Sequence, residues 1–207
     1  MQKYEYKNMD EAYVQDALSK ASRFQKFTTG VRVLFLLQRH RDGGHTNNSK
    51  LRMYITRNPD EWVEAYAKLL QEKDQYPDIP LRIYQTLNPR NVKKAIRTFK
   101  ENQLENDYAD HESMENFYID IKNRWVSALM KPCNKDAADF LIDVDTEDQA
   151  VIDQVEAAIA ELKLVGPITF YKTKKGWHYI TPPFNPNLFP KIENVGVQKD
   201  AMMLLAY

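Results

Sequence analysis

Apolar residues along this chain follow two rhythms, and the alternation between them lays out the elements. Ala12, Val14, Ala17, Leu18 and Ala21 form a partial helical stripe, which predicts a first helix over 9–27. The uninterrupted run VRVLFLLQ at 31–38 predicts a buried strand, and LRMYIT at 51–56 predicts a second. Between them lies the polar segment RHRDGGHTNNSK. Its Asp42-Gly43-Gly44 is a turn signal, so the two strands are expected to pair as a hairpin. Asn58-Pro59 opens a helix that ends near residue 72, because proline suits a first helical turn. LRIYQTL at 81–87 reads as a third strand, and Asn88-Pro89 leads into a helix over 90–102.

The polar stretch ENQLENDYADHE at 101–112 follows. Beyond it, Met114, Phe117, Ile121, Trp125 and Leu129 recur at helical spacing and predict a long amphipathic helix. Residues 138–144 read as a strand and 146–162 as a helix with Thr146 at its N-cap. Two strands, 166–172 and 177–181, are joined by a tight basic turn, and Pro182-Pro183 stops the second. A short helix near Leu188 and strands around Val195 and Leu204 close the chain.

This order is α+β, because the strands and helices do not alternate strictly. The 207 residues suit one domain, 1–207, with an N-terminal α/β module at 1–105 and a second module at 113–207. Lysine plus arginine equals aspartate plus glutamate at 29 each, so the formal charge is zero. Proteins that hold long nucleic acid by charge alone are usually basic, so any nucleic-acid contact is expected to be local. Cys133 stands alone, which excludes an intrachain disulfide and a multi-cysteine zinc site. The segment MQKYEYKNMDEAYVQDALSK has acids and no apolar core, unlike a secretory leader. No apolar run approaches the length of a bilayer span, so a soluble, cytoplasmic protein without a membrane partner is expected.

Two stretches carry candidate chemistry. In DFLIDVDTED, Asp143 and Asp145 are two apart on a strand and share a face. Two such carboxylates repel unless a cation lies between them, and hard oxygen ligands suit magnesium or manganese. The alternative is a strand ending in a charged turn. In YKTKKGWHYITPPF, Lys174 and Lys175 can neutralise phosphate, Gly176 permits a tight turn or close approach, and His178 can bond a phosphate oxygen. The alternative there is a hairpin with a soluble basic tip.

Taken together, FLIDVD and KTKKGWH resemble the archaeo-eukaryotic primase superfamily, which includes primase small subunits, primase-polymerases and the polymerase domains of bacterial end-joining ligases. That family carries hhDhD or hhDhE on a strand, then SGxxGxH after a helix, then a third acid. Asp143 and Asp145 fall on the first motif, and Lys174, Lys175, Gly176 and His178 on the later half of the second. Lys172 stands at the serine position and Thr173 at a glycine position, with Thr173 the candidate substitute hydroxyl. Asp200 is the candidate third acid and Glu193 the next. The resemblance covers mainly residues 139–200. It implies a primase-polymerase-like core with an RRM-like mixed sheet at its C-terminal side, and Mg2+ or Mn2+ held by Asp143, Asp145 and Asp200. It also implies nucleoside triphosphates and a single-stranded DNA template as partners, with replication proteins as further ones.

The expected function is therefore metal-dependent nucleotidyl transfer in DNA replication or repair. A non-catalytic relative that binds a nucleotide or a replication partner is the first alternative. An unrelated enzyme using DxD on a sugar nucleotide is the second. Outside the motifs, Thr86, Asn88 and Arg90 sit where a helix N-terminus can meet phosphate, and Arg90 is retained as a nucleotide or template contact. Lys93, Lys94, Arg97 and Lys100 make a basic helix face, for which solvation is the default. His40 and His45 flank a polar loop, Trp177 is a candidate base-stacking ring, and Trp62 and Trp125 are expected in the core.

Overall fold

The apolar run at 31–38 becomes β1 (Arg32–Gln38), which is buried on both faces over most of its length. A computed structural model describes residues 9–24, 30–39, 49–107, 115–116 and 118–207. It divides into two units, Met1–Asp136 with Met203–Tyr207, and Ala137–Met202. Among the described residues there are five α-helices and two four-stranded sheets, so the chain is α+β.

In the first unit, β1 pairs antiparallel with β2 (Ser49–Thr56) and with β3 (Leu81–Thr86). The expected pairing of the first two strands is present, while its turn, with His40 and His45, lies outside the described residues. The sheet order is β2-β1-β3-β8, where β8 is Met202–Ala206. Leu34, Leu36, Ile83 and Leu205 face a core shared with α1 (Glu11–Phe24) and α2 (Pro59–Asp74). Trp62 and Tyr66 of α2 are fully buried there and stack 5.0 Å apart.

The helix expected over 90–102 is α3 (Val92–Asp107), shifted at both ends. Asn91 caps it by accepting from the Lys94 N–H at 2.9 Å. The first seven residues of the polar stretch at 101–112 continue this helix. Strong helix formers such as Glu, Gln and Leu sustain it there without an apolar face. The long helix expected from Met114 is seen as α4 (Ile121–Met130), preceded by helical residues at 115–116 and 118–119; Met114 and Phe117 lie outside the described residues. Its buried side is Val126, Ala128 and Leu129, whereas Ile121 is exposed and Trp125 is half-buried, edge-on to Phe99 of α3. Trp62 is therefore core, and Trp125 packs at the margin between two helices.

In the second unit, β4 (Phe140–Val144) is an inner strand. The order is β5-β6-β4-β7, with β5 (Thr169–Lys172), β6 (Trp177–Thr181) and β7 (Val195–Gln198). Ile142, Val144, Trp177 and Tyr179 share one face of this sheet. They join α5 (Gln149–Glu161) through Val155, Ala158 and Ile159 in a second core. The residue capping α5 is Asp148, whose Oδ1 accepts from the Ala150 N–H at 2.9 Å. Thr146, expected in that role, instead accepts from the Asp148 N–H at 3.1 Å and shapes the approach to the cap.

Candidate functional site

Alternation along β4 puts Asp143 on the sheet face opposite α5, because its neighbours Ile142 and Val144 belong to the helix-covered core. Directly across the ladder on β6 is His178, and across from His178 on β5 is Tyr171. The three side chains are linked. His178 Nε2 lies 2.9 Å from Asp143 Oδ1, and His178 Nδ1 lies 2.7 Å from the Tyr171 hydroxyl. His178 is only 7% exposed, whereas the Asp143 side chain keeps 26% of its surface open. Both ring nitrogens of His178 are thus engaged within the chain. The imidazole expected to meet phosphate is directed at Asp143.

Asp145 lies one step beyond the end of β4 and is exposed. Its N–H donates to the Asn194 carbonyl at 2.8 Å, which prolongs the β4–β7 ladder. Asn194 presents that carbonyl from a left-handed backbone conformation, φ 60°, which asparagine tolerates better than most residues. On the other side of Asp143 the ladder partner is Gly196, and a Cβ placed there would meet nothing within 4 Å.

The basic turn is brought to this same end of β4 by contact of backbone with backbone. Thr173 N–H donates to the Gly176 carbonyl at 2.8 Å and closes the turn. A Cβ on Gly176 would lie 1.9 Å from the Val144 carbonyl oxygen and 2.8 Å from the Thr146 nitrogen. Only glycine lets the turn lie against residues 144–146. Lys174 and Lys175 at its tip are exposed, and Thr173 is half-buried. Lys172, at the family's serine position, pairs with Glu147 at 2.9 Å with both side chains largely in solvent, a contact of small energy.

Asp200 is half-buried between β7 and β8, and Glu193 is exposed. Among the described residues no three histidine, cysteine, aspartate or glutamate side chains gather as a metal cluster. Asp143 and Asp145 offer two hard oxygen donors that suit magnesium or manganese, and the structure does not bring Asp200 to them as a third. Trp177 is half-buried in the helix-side core beside Phe170, at 6.0 Å, so it is first a core ring. Tyr179, its neighbour on that face, donates to Glu156 at 3.0 Å; burial first, and then this acceptor, push its pKa up.

Arg90 belongs to the first unit. It is 1% exposed, and its backbone pairs with Val31, with the Arg90 N–H donating to the Val31 carbonyl at 2.7 Å. Thr86 and Asn88 are fully buried as well. The helix N-terminus proposed for these three is supplied by Asn91 instead. Lys93, Lys94, Arg97 and Lys100 are exposed, and Arg97 pairs with Glu101 one turn on, as expected for a solvated face.

Sequence reasoning did not single out Tyr171 or Gly196. Tyr171 was within reach: once the turn is placed at 173–176, antiparallel pairing sets 171 opposite 178. Gly196 carried no local signal. Comparisons of this chain with protein-family models, with curated proteins and with solved structures return no match.

Proposed function

We propose that the second unit handles a nucleoside triphosphate with a divalent cation at the Asp143 end of β4, as a nucleotidyltransferase of the primase-polymerase type. One observation carries this reading: Gly176 seats the Lys174-Lys175 turn against the backbone of residues 144–146, beside the two carboxylates. Acids alone would repel a triphosphate, and lysines alone would accept any anion. Side by side they favour an anion that brings its own metal. Asp143 and Asp145 would hold magnesium or manganese, which supplies Lewis-acid neutralisation of the phosphates. Lys174, Lys175 and the turn backbone face the phosphate chain, and Asp143 is held in place by His178. Single-stranded DNA is the template this reading implies.

A second reading, nucleotide binding without transfer, is favoured by Gly196. The ladder position beside Asp143 lacks a carboxylate, and Asp200 does not join the pair. Two-metal transfer chemistry asks for more ligands than two acids supply.

One experiment separates the readings. Binding of a labelled nucleoside triphosphate is measured with manganese, with magnesium and with chelator, and incorporation on a single-stranded template is measured in parallel, with and without primer. Metal-dependent binding with incorporation supports transfer. Binding without incorporation supports the second reading, and absence of both rejects the site. Asp145→Ala is the cleanest variant, because Asp145 is exposed and its loss leaves no buried partner stranded. It is expected to weaken metal-dependent binding roughly tenfold or more, the equivalent of one charge-assisted contact of about 1.5–3 kcal/mol, with unchanged circular dichroism.

A further inference from the structure

We propose that Tyr171 is a positioning residue: its hydroxyl donates to His178 Nδ1, which keeps the imidazole proton on Nε2 and aims it at Asp143 Oδ1. The chain of contacts is 2.7 Å from Tyr171 to His178 and 2.9 Å from His178 to Asp143. A carboxylate has no proton to give, so a 2.9 Å contact from Nε2 to Oδ1 needs the proton on Nε2. The opposite tautomer would set two lone pairs against each other. With Nε2 protonated, the neutral ring has an acceptor at Nδ1, and Tyr171 is placed to fill it.

The surroundings reinforce the alignment. The three residues stand in register on three neighbouring strands, Tyr171 opposite His178 and His178 opposite Asp143, so the backbone ladder sets their spacing. The Tyr171 and His178 rings meet edge-on, 5.1 Å apart at 77°. His178 is 7% exposed, which limits competition from water for either nitrogen. One Asp143 oxygen is thereby committed to His178. The carboxylate is fixed in one orientation, and its remaining donor capacity is aimed by Tyr171 acting through the ring. This assigns His178 to the carboxylate rather than to phosphate. That the aimed carboxylate meets a cation rests on the function proposed above; the alignment itself does not.

The test begins with the intact, metal-free protein. Two-bond nitrogen–proton NMR spectra of the histidine rings are recorded at rising pH until they no longer change, so that the neutral ring is the one read. His178 is identified by its absence in His178→Gln. The expected spectrum has Nε2 protonated and Nδ1 bare, and Tyr171→Phe, with its fold checked by circular dichroism, shifts the ring toward a tautomer mixture. Nδ1 protonated in the wild type, or an unchanged spectrum in Tyr171→Phe, overturns the proposal. Manganese affinity, read by water-proton relaxation, is expected to fall about tenfold in Tyr171→Phe, the lower end of what loss of an outer-sphere partner produces. A wild type with the expected tautomer that binds no manganese keeps the alignment and rejects the functional reading.

Discussion

Gly176 shows how much one residue decides, since any side chain there would drive a Cβ to 1.9 Å from the Val144 carbonyl oxygen. Its φ is not in the left-handed region, so the demand is for space alone. Gly176→Ala must move the turn or the end of β4, and overpacking of this kind costs about 1–3 kcal/mol. The expected outcome is a lower denaturant midpoint together with loss of the proposed metal-dependent nucleotide binding, because the turn retreats from Asp143 and Asp145. A variant with wild-type midpoint and binding would show that the close approach is dispensable. The Lys-Lys-Gly turn was legible in the sequence, and so was the strand that carries Asp143, although Asp145 falls beyond its end. What Gly176 touches was not, because residues 144 and 176 meet only through a pairing register. The same limit hid the use of His178. Its type suggested phosphate, while its ladder position gives it to Asp143 and Tyr171.

At the scale of elements, local chemistry was a good guide to where helices begin only when a cap, a proline and an acid coincided. In α2, Asn58 accepts from the Glu61 N–H at 2.9 Å, Pro59 opens the helix, and Glu61 reaches back to the Arg57 N–H at 2.8 Å. Of this, the Asn58-Pro59 start was the part expected from the residues, and the Glu61 contacts are seen only in the structure. Asn58→Ala leaves one first-turn donor to water and is expected to lower stability by about 1 kcal/mol. Asn58→Ser should restore most of it, and equilibrium urea melts of the three proteins check the order. In α5 the expected cap was Thr146, and the structure uses Asp148, two residues on. α3 ran past its expected end because no glycine or proline stops it before residue 107. The stripe expected for α4 placed Leu129 correctly in the core, but Trp125 and Ile121 are large and apolar without being enclosed. Which apolar residues a helix buries is set by its partner, here α3, and the partner is not a local property.

For the whole molecule, the order of strands is the information that periodicity does not hold. The chain leaves the first unit at Asp136 and returns to it for the last five residues, Met203–Tyr207. There β8 takes the place beside β3 and contributes Leu205 to the first core, while Met203 is 2% exposed. A strand around Leu204 was expected from its apolar run, but nothing in MMLLA names β3, more than a hundred residues earlier, as its neighbour. This arrangement makes the stability of the first unit depend on the C-terminal strand. A chain ending at Ala201 loses the β8 ladder and two buried apolar side chains, each contributing about 1.5–3 kcal/mol. Against a typical domain stability of about 5–15 kcal/mol, that loss is large enough to open the sheet. Hydrogen exchange should then show faster exchange in β3 first, at Leu81–Thr86, because β3 becomes an edge with unpaired backbone groups. Strand β1, still flanked by β2 and β3, should lose protection less. Equal protection of β3 in the full and shortened chains would mean that β8 is a passenger on the sheet. Selective loss would mean that the first unit is completed only after the second has been passed through.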